Sequence, residues 1–116
     1  MTPTACLLAA VEAGSLWPDD AVVIPKDVSD VMGECFDDVQ FADFAAAYDG
    51  SVNDAISLCV AMLPGFAWGR QWSGHMWVEP KESGQRYYSP DNMADDPARA
   101  LLIAMLRALV AQEGGE

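Results

Sequence analysis

Basic side chains are scarce in this chain. Six Lys and Arg stand against 18 Asp and Glu over 116 residues, a formal charge of −12. Affinity for a phosphate backbone comes from cations that neutralise phosphates, so direct nucleic-acid binding is not expected. Histidine occurs once, as His75. That excludes a multi-histidine metal site and leaves one imidazole for any acid–base chemistry. Three cysteines, Cys6, Cys35 and Cys59, cannot all pair within one chain, and none lies in a C-x-x-C arrangement. Neither a disulfide framework nor a zinc site is indicated. Each sits among apolar residues, where a free thiol behaves as a small hydrophobe, and a reducing, cytoplasmic setting follows. No apolar run approaches the roughly 20 residues that span a bilayer, so no membrane partner is expected. The N-terminal residues carry no positive charge ahead of the apolar Ala5–Val11, unlike a signal peptide. A glycine-rich phosphate loop is missing as well, and no cofactor is expected.

What is present is apolar bulk. Hydrophobic residues make up 52% of the chain, with four Trp, four Phe and three Tyr. A disordered acidic segment lacks such side chains, so residues 1–116 read as one folded domain. Its charge is unevenly spread. Residues 1–69 hold 11 acids and one base, whereas residues 70–116 hold seven acids and five bases.

Periodicity outlines the elements. Thr2 as cap, Pro3 as first helical residue and Gly14 as stop bracket a short helix bearing Leu7, Leu8 and Val11. Ser15–Asp20 reads as a loop, and Ala21–Ile24 as a short strand or an apolar loop ended by Pro25. Val28, Val31, Met32, Cys35, Phe36 and Val39 then follow one helical face, with Asp27, Asp30, Glu34, Asp37 and Asp38 opposite. The stripe Phe41, Phe44, Ala45, Tyr48 is out of phase with it, which predicts a break near Asp38–Gln40 and a second helix. Ser51-x-x-Asp54 resembles a capping box ahead of a helix with Val52, Ala55, Ile56, Cys59, Val60 and Leu63 on one face. Pro64-Gly65 stops it. From Phe66 the period is two, and the turns Ser73-Gly74 and Pro80–Gly84 divide three strands of an antiparallel meander. Asp96 as cap and Pro97 open a last helix, apolar nearly all round between Ala100 and Ala111 apart from Arg107. Such a helix must be buried on more than one side, by the sheet, another helix or a second subunit.

The fold expected is α+β: a three-stranded antiparallel meander packed between helices, with a helical acidic N-terminal portion. Ser51-x-x-Asp54-Ala55 with its helix, Leu63-Pro64-Gly65-Phe66-x-Trp68, the meander and Pro97-Ala98-x-Ala100-Leu101 through Arg107-Ala108 come in a telling order. In this the chain resembles small bacteriophage and prophage proteins with a phage ABA (α/β/α) sandwich domain, a family of unknown function. The resemblance covers residues 46–110 and leaves the first 45 outside, so an acidic portion 1–45 precedes a sandwich-like core at 46–112. Phe66 stands where family members commonly have Trp. The resemblance implies phage origin, and hence the host bacterial cytoplasm, but brings no activity and no catalytic residues.

No pattern of residues points to catalysis, and the chain reads as non-enzymatic. His75 follows a hairpin turn, with no G-x-S-x-G elbow in the chain. The acidic pairs Asp19-Asp20, Asp37-Asp38 and Asp95-Asp96 fall at helix boundaries or on a polar face, where solvation keeps them ordinary. Asp91–Asp96 is oxygen-rich but lacks the ligand order of a calcium loop, and no metal is expected. Trp68, Trp72 and Trp77 could form a stacking platform, yet only Arg70 lies near, so they read as aromatic core.

The candidate partner-binding face is Asp27, Asp30, Glu34, Asp37 and Asp38. Five carboxylates over 12 helical residues give about one charge per 3.6 Å, against roughly 3.4 Å between phosphates along one DNA strand. The expected function is macromolecular binding to an unidentified protein, and a basic one would complement the charge. The alternative is an acidic inhibitor or nucleic-acid mimic acting on a host defence or DNA-binding protein. A homo-oligomer through the C-terminal helix is a further expectation.

Overall fold

Turn and cap chemistry sets the element boundaries. The structure, a computed structural model, describes residues 3–13, 26–81, 86–90 and 95–113. The expectations for Thr2, Gly14 and residues 15–25 lie outside them. Helix α1 spans Pro3–Ala13, α2 Lys26–Cys35, α3 Asp38–Tyr48, α4 Val52–Met62 and α5 Pro97–Glu113. The strands are β1 Phe66–Arg70, β2 Met76–Pro80 and β3 Tyr87–Tyr88.

Helix α2 stops earlier than its apolar stripe predicts. Asp37 adopts an extended backbone and its carboxylate accepts the Gln40 N–H at 2.8 Å, while the Gln40 side chain accepts the Asp37 N–H at 3.1 Å. This reciprocal cap starts a new helix at Asp38. Val39 therefore turns with α3 and stands 71% exposed, not beside Phe36 in the core. Helix α3 ends in a Schellman pattern. Ser51 N–H donates to the Ala46 carbonyl and Gly50 N–H to Ala47, with Gly50 at φ +119°, where a side chain would be strained. Ser51 then caps α4 by accepting the Asp54 N–H at 3.3 Å. In α4 the buried stripe is Ala55, Leu58, Cys59, and Val60 faces solvent.

The sheet is antiparallel, in the order β1-β2-β3. Trp68 lies opposite Val78 and Arg70 opposite Met76, while Trp77 lies opposite Tyr88. Alternation puts Met76 and Val78 on one face, and both are buried. That face meets α5, the helix in extensive contact with β2 and β3. Helices α1, α3 and α4 pack on other sides of α5, and α2 packs on α1 and α3. The protein is thus an α+β fold in which sheet, α5 and the remaining helices share one core. Leu7, Val11, Met32 and Phe36 of the acidic N-terminal portion belong to the same buried cluster as Leu101, Leu102 and Leu106.

Seven consecutive residues, Ala100–Leu106, are at most 1% exposed. At 100° per residue they point in every direction around the axis, so neighbours enclose this stretch of the helix on all sides. Over Ala100–Leu106 the apolar surface that raised the expectation of an oligomer through α5 is covered within the chain, while Leu109, Val110 and Ala111 stay half-buried. Two arginines fasten the helix, one in its first turn and one in its second half. Arg99 donates from Nε to the Tyr48 carbonyl at 2.6 Å and lies 3.9 Å from the Tyr48 ring centroid. Arg107 donates from Nη1 to the Tyr88 carbonyl at 2.7 Å and pairs with Glu12 at 2.6 Å. One guanidinium so joins α5 to both β3 and α1.

Truncation of this centre should be costly. Leu102→Ala is expected to lower unfolding free energy in urea titration by about 2–5 kcal/mol, whereas Val60→Ala should stay within about 0.5 kcal/mol of the parent.

Candidate functional site

The five carboxylates do not share one helical face. Asp27, Asp30 and Glu34 belong to α2, Asp37 is the cap of α3, and Asp38 is its first residue. Asp27's side chain lies outside those described. Asp30, Glu34, Asp37 and Asp38 are all exposed. Asp37 spends one oxygen on the Gln40 N–H, so it is partly a structural group. No ion pair among the described residues involves Glu34 or Asp38. Asp38 also sits in the first turn of α3, where the helix dipole favours a negative charge. Asp43 of α3 and Asp54 of α4 add two half-buried carboxylates to the same part of the chain. From α2 to α4 the sequence carries one cation, Lys26, and every other ionisable residue except Tyr48 and the cysteines is a carboxylate. The face is broader than one stripe and less regular.

The tryptophans behave otherwise than as core. Trp72 is fully exposed just past the end of β1, and Trp68 on the edge strand is 40% exposed. Trp77 is half-buried, but on the face away from α5, because odd-numbered residues of β2 point opposite to Met76 and Val78. Its indole lies close against Gly69, where a Cβ would meet a ring carbon at 2.5 Å. The Arg86 guanidinium lies over the ring at 4.1 Å from its centroid and pairs with Glu79 at 2.9 Å. Trp77 points to the opposite sheet face from Trp68, so the three tryptophans form no common stacking surface. The alternation of residues 66–72 placed Trp68 and Trp72 together but could not show that β1 is an edge strand.

Around the hairpin turn polar groups satisfy one another. Ser73 Oγ lies 2.8 Å from His75 Nδ1, and Gln71 Nε2 donates to Tyr88 Oη at 3.3 Å. Ser89 Oγ accepts the Met76 N–H at 3.0 Å. Gln71, His75, Tyr88 and Ser89 line an open cavity of about 380 Å³. The Ser73–His75 contact holds the turn, and Ser73 stands in solvent, without the apolar enclosure that strengthens a nucleophile–base pair. A second hollow of about 330 Å³ lies between Pro64, Gly65, Phe66, Pro80 and Lys81. Among the described residues no three His, Cys, Asp or Glu side chains come together as a metal site. No helix there is long and apolar enough to cross a membrane.

Cys6 is exposed, Cys35 half-buried beside Thr4 Oγ1 at 3.9 Å, and Cys59 buried. Burial pushes the Cys59 thiol up to about 11. Set against protein families, curated proteins and solved structures, the chain matches none.

Sequence reasoning missed the Asp37–Gln40 cap, although Asp-x-x-Gln is legible as a capping box. It also missed the Gly69–Trp77–Arg86 stack, whose members are brought together only by strand register.

Two outcomes are expected here. Gly69→Ala should cost about 1–3 kcal/mol in thermal or urea unfolding, because the Trp77 ring must move away. The Cys59 thiol favours its neutral form in the fold, so stability is full below pH 9 and falls as pH rises from about 9 towards about 11. Urea midpoints measured across that range should show a fall that is smaller in Cys59→Ala.

Proposed function

We propose that the chain is a bacteriophage accessory protein that works in the host bacterial cytoplasm without catalysis, by binding another macromolecule. The observation that carries the binding reading is the concentration of exposed carboxylates along α2 and the start of α3, on helices whose sequence holds a single cation, Lys26. Such a surface attracts a basic protein and speeds its encounter, with strong dependence on ionic strength. The phage assignment is supported by the order of cap, helix stop, meander and proline-started helix between residues 46 and 110.

The second reading is an acidic inhibitor or nucleic-acid mimic of a host defence or DNA-binding protein. Its support was the even charge spacing along one helix. The cap at Asp37 divides that row, so the spacing applies at most to Asp27, Asp30 and Glu34. General electrostatic docking needs no such regularity and is the preferred reading.

The combined variant Asp30→Asn, Glu34→Gln, Asp37→Asn tests this. Asn caps a helix as well as Asp does, so the α2–α3 junction is kept. Capture of basic proteins from host lysate at low salt is expected to weaken by roughly ten-fold, at about 0.5 kcal/mol per surface charge pair, and to vanish at high salt for both forms. Capture that is unchanged in the variant overturns the reading.

A further inference from the structure

The geometry points to a self-association surface on the side of β1 that no described strand covers, which pairs antiparallel with β1 of a second copy about a two-fold axis at Trp68. The backbone register supplies the first reason. Gln71 N–H donates to the His75 carbonyl and Lys81 N–H to the Gly65 carbonyl, so odd-numbered residues of this strand bond to β2. Hydrogen-bonded and non-bonded pairs alternate along an antiparallel ladder. The N–H and C=O of Trp68, opposite Val78, therefore point away from β2. Among the described residues no strand pairs with that edge. An open edge is a template for another strand unless charge, proline, a bulge or a cover blunts it. Between Phe66 and Trp72 the one charged residue is Arg70, and there is no proline.

Self-pairing fits this edge because the pattern is self-complementary. With Trp68 facing the partner's Trp68, the outward N–H and C=O of each exchange with the same groups of the other. Arg70 then lies opposite the partner's Phe66, a cation against an aromatic ring rather than another cation. The two Arg70 side chains start about 14 Å apart along the strands, beyond the ~8 Å screening length at physiological salt. Trp72 comes opposite the partner's Pro64, and both are exposed in one copy. Aromatic and Arg anchors of this kind dominate interface energies.

Charge decides between this surface and the rest. Two chains of −12 repel wherever their acids meet. The acids from α2 to α4 lie on elements that make no extensive contact with the strands, whereas residues 66–72 contain no carboxylate. Among the described residues, contact along β1 lets two such chains approach without acid facing acid. The exposed apolar residues Trp68 and Trp72 leave water on the same approach.

Light scattering on the eluting full chain, across a wide concentration series, reads the outcome. The expected mass is twice the 12.5 kDa of one chain at high concentration. Added salt should shift the series towards dimer, since it screens the like charges on the helices. Trp68→Pro removes the outward N–H without breaking a bond to β2, and should restore the single-chain mass. Trp68→Lys should do the same by charging the edge, while Val60→Lys, which removes an exposed apolar residue elsewhere, should leave the dimer intact. Hydrogen exchange on the unmodified chain gives a readout independent of any variant. The Trp68 amide should exchange quickly in dilute solution and become protected as the dimer forms. A single-chain mass at every concentration and salt overturns the proposal, leaving the edge to a strand of another protein. So does a dimer in which Trp68 exchanges as fast as in dilute solution, because contact then lies elsewhere.

Discussion

A helix with apolar side chains all round is stable in water only when its whole circumference is covered. Helix α5 imposes that requirement, and the rest of the structure answers it. One side is closed by Met76 and Val78 of the central strand, the others by α1, α3 and α4. The small residues Ala100, Ala104 and Ala108 recur every fourth position, so a neighbour can approach closely along that line. Arg99 and Arg107 sit where α5 reaches the boundary of the core. There their guanidinium groups bind the carbonyls of Tyr48 and Tyr88 at the ends of α3 and β3. The apolar interior and the polar latches are thus two consequences of burying one helix.

Because α5 collects the hydrophobic surface, the outer elements are free to carry charge. Helices α2 to α4 each present one apolar edge inward and hold carboxylates elsewhere. Screening by solvent keeps the cost of that repulsion small at ordinary salt. The sheet carries no comparable repulsion: on its outward face Trp77 packs against Gly69 and Arg86, and its charges are mixed. The molecule has an acidic helical side and a nearly neutral, aromatic edge, and these invite different kinds of contact.

Much of the architecture was legible in the residues themselves. Ser51, Gly50, Pro64-Gly65 and Asp96-Pro97 act through local backbone geometry, and the elements begin and end beside them. The strands emerge from the period-two pattern at Phe66 and the turn at Ser73-Gly74. Legibility failed where a residue's fate depended on a neighbour remote in sequence. Val39 continues the apolar spacing of α2, but the Asp37 cap restarts the helix and rotates it outward. Val60 matches its helix stripe, yet α4 leans on Leu58 instead. The acidic face was visible as composition and spacing, while its division across two helices depended on that same cap. Arg107 looked like an interruption of an apolar helix and is a bridge between three elements.

The amino-acid sequence by itself determined the element types, their order, the α+β class and the location of the negative charge, because capping, periodicity and formal charge are local properties. Tertiary structure alone decided which of the described tryptophans meet solvent, that no described strand pairs with the outer side of β1, and that Ala100–Leu106 of α5 is enclosed within one chain. Those outcomes depend on strand order and on which faces come together, and contact between residues as distant as Glu12 and Arg107 leaves no mark on the local pattern of either.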